Sequence, residues 1–256
     1  MINLLKSVVR SSSRSIRKDD IFLVSYPKSG NTWLKFIFAS YIKEREVAFN
    51  EVHNIIPEYE TQSRTLWQLS VCPRIIKSHS VFTDKFPKVI YIVRDGRDVL
   101  VSYFFYLKKT RVISADTSFA SFLEEYNRDN LPHGKWEDHV YSWLSNKSHN
   151  IEVVFYEDML KDSHGEAKRA IAFSGMPVCE TRLANAVEHS SFGNLSRLEQ
   201  RDKYVDKHLV NTDHKIPFVR NGKAGSYTEF FTKEESGRFL ESRSKVYDLI
   251  DKFRSR

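Results

Sequence analysis

The sequence predicts an α/β fold in which a central, mainly parallel sheet is flanked by helices on both faces. Four apolar segments have the composition of buried strands, near residues 21–25, 73–77, 88–93 and 151–155. Helical patterns separate and follow them at about 30–45, 95–109, 117–128, 136–146 and 165–174. Strands that alternate with helices favour parallel pairing, because the chain must cross over between them.

The chain of 256 residues lies within the size range of a single α/β domain. Its composition, 41% hydrophobic and 13% aromatic, is sufficient to fill a large core. No internal repeat or low-complexity linker divides it, so we expect a basic N-terminal segment, 1–20, and one domain, 21–256. A final helix at about 233–254 is expected to pack through Val246, Ile250 and Phe253.

The first strand runs into a turn that is typical of an anion site. The turn, Tyr-Pro-Lys-Ser-Gly-Asn-Thr-Trp at 26–33, leads directly into the first helix. Backbone N–H groups and the dipole at a helix start, together with Lys28, favour a bound phosphate. The segment is not a Walker A motif, because Lys28 precedes Gly30, its only glycine. An ordinary strand–turn–helix corner is the alternative interpretation.

Two further segments place cations beside a turn. The strand at 88–93 runs into Arg94-Asp95-Gly96-Arg97-Asp98, and in a later loop, 220–225, two glycines space two cations. Glycine backbone with flanking cations is suited to wrapping a phosphate. One such corner alone is more typical of a solvated charge cluster, but three at strand or loop ends indicate one shared polyanionic ligand.

These three segments resemble, in order and spacing, those of the sulfotransferases that use 3′-phosphoadenosine 5′-phosphosulfate (PAPS). Segment 26–33 is similar to their 5′-phosphosulfate loop, 94–102 to their 3′-phosphate site, and 220–225 to their C-terminal Arg-Lys-Gly-x-x-Gly loop. The resemblance extends from about residue 21 to 232. It implies a P-loop-like domain and an enzyme that moves a sulfuryl group from PAPS to an acceptor hydroxyl, with no metal required.

The resemblance also implies a residue-by-residue donor site. Lys28 would contact the oxygen that bridges the sulfuryl group and the 5′-phosphate, and Trp33 would pack on the adenine. The 5′-phosphate would be held by Ser29, Gly30, Asn31 and Thr32. The 3′-phosphate would be held by Arg94, Ser102, Arg220, Asn221 and Gly222, with Tyr156, Ser191 and Phe192 as further nucleotide contacts.

Sulfuryl transfer also needs a base that takes the acceptor proton. An apolar run at 73–77 leads into Lys77-Ser78-His79, which resembles the family's Lys-Thr-His segment. The resemblance implies His79 as the base and Lys77 as a second cation for the sulfuryl oxygens. The reaction is then an in-line displacement at sulfur that Lys28 and Lys77 stabilise electrostatically. The other eight histidines, His133 among them, lack a comparable sequence context.

The acceptor is expected to bind among three loops, at about 47–69, 110–135 and 200–218. Phe82, Phe105 and Tyr106 are candidate walls, and the middle loop is polar enough for a sugar. The predicted acceptor is a carbohydrate or glycolipid hydroxyl, or a small alcohol or phenol. The dimerisation motif of cytosolic animal sulfotransferases is not found, so nothing in the sequence supports assembly by that route.

The net charge of +7 is compatible with nucleic-acid binding, but no DNA- or RNA-binding motif accompanies it. Residues 1–18 hold five Lys/Arg and no Asp/Glu. This segment would suit a membrane surface, but a short helix packed on the domain is the expected structure. No stretch is long and apolar enough to cross a membrane, and Cys72 and Cys179 form no disulfide framework. The sequence therefore predicts a cytoplasmic protein that binds no nucleic acid.

Two other functions remain open from the residues alone. A phosphoryl-transfer nucleotide enzyme would bind ATP or GTP with Mg²⁺, although the Walker sequence is missing. A non-catalytic polyanion-binding module would bind nucleic acid or acidic glycans with a steep salt dependence. Only the PAPS enzyme predicts that binding requires the 3′-phosphate and that His79→Ala loses turnover while it keeps nucleotide affinity.

Overall fold

A computed structural model describes residues 16–61, 73–146, 150–204 and 210–255. Within these ranges, four parallel strands form one sheet in the order β2-β1-β3-β4. The strands are β1 Ile21–Val24, β2 Ile75–Ser78, β3 Val89–Val93 and β4 Ile151–Phe155. The predicted α/β fold with a parallel sheet is confirmed, and each predicted strand lies within about two residues of its observed bounds.

The helices of the described ranges follow the strands in chain order. They are α1 Asn31–Lys43, α2 Phe49–Ile55, α3 Gly96–Lys109, α4 Phe119–Asn127, α5 Trp136–Leu144, α6 Tyr156–Lys161, α7 Ser163–Ser174, α8 Glu180–His189, α9 Phe192–Asp202, α10 Lys233–Ser242 and α11 Ser244–Arg254, with a 3₁₀ turn at Ser226–Glu229. The sequence did not predict α2, α6, α8 and α9. The predicted final helix is two helices, because Arg243 leaves the helical conformation at φ −121° and ψ 18°.

Both faces of the sheet are buried, which explains why the strands are mainly apolar. Phe22 and Val24 of β1 belong to a core formed with α3, α4, α5, α10 and α11. Ile21 and Leu23 point the other way, into a core formed with α1, α2, α7, α8 and α9. Period-two alternation along β1 therefore supplies side chains to two separate cores.

Parallel pairing brings the carboxyl ends of all four strands to one edge of the sheet. Val24 pairs with Ser78 of β2 and Tyr91 of β3, and Val93 pairs with Phe155 of β4. The turns that follow each strand therefore meet at this edge, as expected for ligand sites in α/β sheets.

The opposite edge of the sheet is fixed by a buried ion pair. Arg74, just before β2, donates from Nε and Nη2 to the two carboxylate oxygens of Asp20 at 2.7 and 2.6 Å. Both side chains are almost completely buried, so the pair joins the starts of β1 and β2.

Residues 1–15 of the predicted N-terminal segment, 1–20, lie outside the described residues, and Cys72 also lies outside them. In the part of the chain that the structure describes, no helix combines the length and apolarity needed to cross a bilayer. The cytoplasmic location stays a prediction.

Candidate active site

A cavity of about 340 Å³ opens at the carboxyl edge of the sheet. Fourteen of the sixteen predicted site residues line it: Lys28, Gly30, Asn31, Thr32, Trp33, Lys77, His79, Arg94, Ser102, Tyr156, Phe192, Arg220, Asn221 and Gly222. Ser29 and Ser191 lie outside the lining. The structure thus brings together residues that are dispersed over most of the chain.

The turn between β1 and α1 has an unusual backbone. Lys28 and Gly30 both have left-handed φ values, 69° and 105°. A Cβ at Gly30 would lie 2.6 Å from the Tyr156 ring, so both the conformation and the contact require glycine. Asn31 donates from Nδ2 to Leu23 O at 3.0 Å and to Ser25 Oγ at 3.2 Å. The start of α1 is thereby tied back to β1.

Lys28 holds its ammonium group against two aromatic rings. Nζ lies 4.0 Å from the ring centroid of Phe218 and 4.7 Å from that of Tyr106. Burial, together with the charges of Arg94 and Lys77, lowers the pKa of Lys28 to about 7. The charged form of Lys28 is therefore destabilised in the free site, and a bound anion would stabilise it.

Arg94, after β3, connects two loops of the cavity. Its guanidinium donates to Lys28 O at 3.3 Å and to Lys223 O at 3.0 Å, and it lies 4.3 Å from the Tyr156 ring centroid. The two contacts to backbone carbonyls fix the first turn and the 220–225 loop on either side of one cation.

Asp98 anchors the same C-terminal loop, a role that the sequence analysis missed. Its carboxylate accepts hydrogen bonds from Gly225 N at 2.7 Å, Tyr227 N at 2.9 Å and the Ser226 hydroxyl at 3.0 Å. Its own side chain is buried, 3.9 Å from Arg94. An acidic residue inside a cation-rich turn was the available signal in the sequence.

Several buried polar atoms around the cavity have no hydrogen-bond partner among the described residues. They are Ser29 Oγ, Asn31 Oδ1, Trp33 Nε1, Arg94 Nε, Ser190 Oγ and Arg220 Nε. Buried polar atoms are nearly always paired in folded proteins, and most of these are donors. This concentration of unpaired donors and of cations fits a ligand with several anionic oxygens, as PAPS has.

Phe192 lies half-exposed at the mouth of the cavity, with 44% of its surface accessible. Gly222 has φ 62°, and a Cβ there would lie 2.3 Å from the Phe192 ring. Ser191 caps α9 by accepting from Asn194 N at 3.4 Å, whereas its neighbour Ser190 lines the cavity. Ser190 is therefore the serine of this pair that the structure places beside the ligand space.

His79, after β2, is held in one tautomer. Nδ1 lies 2.7 Å from Ser25 O, and because a carbonyl can only accept, Nδ1 carries the proton and Nε2 keeps its lone pair. Burial and the nearby Lys77 hold the pKa of His79 well below its ordinary value. The imidazole is thus neutral near pH 7 and able to accept a proton.

The backbone of His79 is supported from both sides. Its amide donates to Glu60 Oε1 at 2.7 Å, and its carbonyl lies 3.1 Å from His139 Nε2. Tyr91 OH lies 2.9 Å from Nδ1 of His139, and burial lowers the pKa of His139 to about 4. His139 is therefore neutral, with Nε2 donating to the His79 carbonyl and Nδ1 accepting from Tyr91.

Lys77 forms an ion pair with Glu58, with Nζ 2.5 Å from Oε1. The two residues also pair through their backbones as an isolated parallel bridge. The charge of Lys77 is therefore paired with a carboxylate, whereas the ammonium group of Lys28 lies against aromatic rings. Its predicted contact with the sulfuryl oxygens is not tested by this geometry.

The rest of the cavity is largely apolar and aromatic. Its wall includes Phe36, Phe49, Val52, Tyr106 and Phe218, with the polar residues Lys35, His53, Glu58 and His133 between them. Of the three predicted wall residues, Tyr106 lines the cavity. Phe82 packs against Trp143 at a centroid distance of 5.2 Å, and Phe105 packs against Phe230 at 5.5 Å.

A parallel sheet that gathers cations and the start of a helix at the carboxyl ends of its strands is typical of nucleotide-binding α/β enzymes. The family model described as Sulfotransferase domain matches residues 18–249. The chain belongs to this family of PAPS-dependent sulfotransferases, which confirms the predicted family, enzyme class and sulfuryl donor.

Individual relatives span most of the chain. Sulfotransferase 1E1 of Bos taurus is 30% identical over 241 residues, 87% of this chain and 81% of that protein. Sulfotransferase 1 family member D1 of Mus musculus is 31% identical over an alignment of 261 positions, which covers 93% of this chain and 87% of that protein. The crystal structure of mouse sulfotransferase SULT7A1 complexed with PAP has a TM-score of 0.68 and 26% identity, and covers 93% of this chain and 90% of that one.

Proposed function

We propose that this enzyme transfers the sulfuryl group of PAPS to the hydroxyl of a small alcohol or phenol, with His79 as general base and Lys28 on the leaving group. One observation carries the proposal. The contact of Nδ1 with Ser25 O leaves the lone pair of His79 on Nε2, in the cavity that also holds Lys28. A base and a cation for the leaving group therefore share one small space.

The donor side of the proposal is supported by the unpaired donors and cations. Ser29, Gly30, Asn31 and Thr32 would hold the 5′-phosphate at the start of α1, where N–H groups converge. The 3′-phosphate would lie against Arg94, Ser102, Arg220, Asn221 and Gly222. Trp33 and Phe192 would bracket the adenine beside Tyr156, with Ser190 and Ser191 as further contacts of the nucleotide.

In the proposed reaction, His79 Nε2 accepts the hydroxyl proton of the acceptor while the acceptor oxygen bonds to sulfur. Lys28 donates to the bridging oxygen, which takes the electron pair of the breaking S–O bond and departs on 3′-phosphoadenosine 5′-phosphate (PAP). PAPS supplies the activated sulfuryl group, and the protein contributes orientation and charge. Lys77 is the second cation, and its ion pair with Glu58 fixes the ammonium position.

The apolar part of the cavity wall supports the proposed acceptor class. Phe36, Phe49, Val52 and Phe218 present apolar surface, and Tyr106 adds a further ring. A flat aromatic or aliphatic body buries well against such a wall, and the polar side chains between these residues are few. The lining therefore favours a small alcohol or phenol over the carbohydrate that the polar loop predicted.

A transfer assay tests the proposal. Purified enzyme is given PAPS labelled with ³⁵S and, separately, 2-naphthol, benzyl alcohol or methyl glucoside as probe acceptor. We expect labelled product with an aromatic acceptor and a fall in kcat of about 10²- to 10⁴-fold in His79→Asn, with PAP binding retained.

His164→Asn is the matched control, because His164 is a surface residue whose partner is Glu180. It should keep the wild-type rate. A wild type that transfers no label to any probe, or a fully active His79→Asn, would contradict the proposal. Preference for methyl glucoside would contradict the acceptor class alone.

A further inference from the structure

A second histidine, His133, is held at the cavity by its flanking residues. Tyr103 OH donates to Pro132 O, and Tyr26 OH donates to Gly134 O at 2.8 Å. Both tyrosines are completely buried. The carbonyls on either side of His133 are thus fixed by hydroxyl groups that come from α3 and from the turn after β1.

The backbone at His133 is left-handed, with φ 72°. This conformation is unfavourable for most residues with a side chain, whereas glycine adopts it freely and asparagine adopts it more readily than most residues. The loop geometry alone would therefore favour glycine or asparagine. Strained residues of this kind cluster at functional sites, and here the imidazole lines the ligand cavity.

The distance between the two imidazoles matches that expected for two rings hydrogen-bonded to one oxygen atom. The ring centroids of His79 and His133 lie 6.1 Å apart, with an interplanar angle of 65°. A ring nitrogen is about 1.1 Å from its centroid and a hydrogen bond adds about 2.8 Å, so a bound oxygen lies about 3.9 Å from each centroid. Two such distances span 6.1 Å when they meet at about 100°, close to the tetrahedral angle of a hydroxyl oxygen.

We infer that His133 contacts the acceptor, donating a hydrogen bond to the same hydroxyl oxygen that His79 deprotonates. This inference rests on the proposed function and adds a residue to it. The acceptor hydroxyl gives its proton to His79 Nε2, one oxygen lone pair accepts from the N–H of His133, and the other attacks sulfur. His133 thus fixes the direction of the attacking lone pair and stabilises the charge that the oxygen gains as its proton leaves.

The surroundings of His133 keep it neutral for this task. Burial and the charge of Lys77 hold its pKa below the ordinary value, and the carboxylates of Glu60 and Glu58 offset only part of that effect. A neutral imidazole has one N–H, which is sufficient for the proposed hydrogen bond. It also adds no positive charge that would weaken His79 as a base.

Two variants test this inference without straining the loop. His133→Gly removes the imidazole at a φ that glycine prefers, and His133→Asn retains an N–H donor at a φ that asparagine tolerates. With ³⁵S-labelled PAPS and 2-naphthol, we expect kcat/KM for 2-naphthol to fall about 10- to 100-fold in His133→Gly and less in His133→Asn. PAP affinity should stay at the wild-type value, and the melting temperature should not fall.

Added imidazole should restore part of the activity of His133→Gly and leave the wild type unaffected. Wild-type kcat/KM in His133→Gly would overturn the inference, as would a loss that neither imidazole nor His133→Asn recovers. Either result, obtained beside an active wild type, leaves the proposed function intact. A wild type that is inactive towards every probe acceptor would instead contradict the proposed function itself.

Discussion

At the residue scale, Lys28 shows how the free protein is prepared for an anion. Its ammonium group faces two aromatic rings, and burial together with the charge of Arg94 lowers its pKa to about 7. A cation in that state has a measurable consequence, because a bound phosphate favours the charged form and so takes up a proton.

We predict that PAP affinity falls as the pH rises above 7. Free Lys28 loses its charge above a pKa of about 7, while Lys28 beside a bound phosphate keeps it. At higher pH, Lys28 must therefore take up one proton when PAP binds, and the Kd of PAP should increase by up to about tenfold per pH unit. Calorimetry at pH 7 to 9, in buffers of different ionisation enthalpy, measures this uptake directly.

Lys28→Arg is the control for that measurement, because arginine stays charged over the whole range. Its Kd for PAP should change little with pH, whatever its absolute value. A wild-type Kd that is constant from pH 7 to 9, without proton uptake, would contradict the interpretation of Lys28.

A second residue-scale prediction compares Gly222, which lies against the Phe192 ring, with Gly193, the residue after Phe192. Gly222→Ala should weaken PAP binding, because the new Cβ would lie 2.3 Å from Phe192 on a backbone with φ 62°. Gly193→Ala should bind PAP normally, since nothing lies within 4 Å of a Cβ there. Calorimetry of both variants gives the comparison. Equal PAP affinities of the two variants would contradict the assignment of Phe192 and Gly222 to the nucleotide site.

At the scale of elements, α3 and α9 together place the loop that covers Lys28. Glu199 of α9 accepts from Phe218 N at 2.6 Å and Val219 N at 2.8 Å. Lys109 of α3 donates to Ile216 O at 2.7 Å and lies 3.5 Å from the Glu199 carboxylate. The Phe218 ring reaches the cavity because these two buried groups satisfy the loop backbone.

Glu199→Gln should therefore raise the KM for the acceptor more than it changes the Kd of PAP. An amide offers one carbonyl oxygen where the carboxylate offers two, so one loop N–H loses its acceptor at a cost of about 1–3 kcal/mol. Steady-state kinetics with 2-naphthol, beside PAP calorimetry and a thermal melt, separates these effects. An unchanged KM in a destabilised variant would assign Glu199 to stability alone.

The sequence predicted the elements whose signals are local. All four strands were found because each lies in a short apolar run rich in β-branched residues. Helix α9 was missed because Phe192–Asp202 is polar, with Gly193 near its start and four buried side chains among eleven residues. Helix α6 was missed because it begins at Tyr156, directly after β4, without an intervening turn.

At the scale of the whole molecule, parallel topology explains why the site was predictable in outline. Each of the four parallel strands is followed by a residue of the site: Lys28, His79, Arg94 and Tyr156. Parallel pairing therefore places all four at the same edge of the sheet. The place of His133 was not predictable, because it depends on a hydrogen bond between Tyr26 and Gly134, 108 residues apart. Such long-range contacts leave no periodic pattern in the sequence.

The most direct test of a PAPS site is calorimetric binding of PAP and AMP, which differ in the 3′-phosphate alone. We predict that PAP binds about 100-fold more tightly than AMP, that Arg220→Met removes most of this difference, and that the exposed Arg238→Met keeps it. Equal affinities of the wild type for PAP and AMP would contradict the assignment of Arg94, Ser102 and the 220–222 loop to the 3′-phosphate, and with it the proposed donor site.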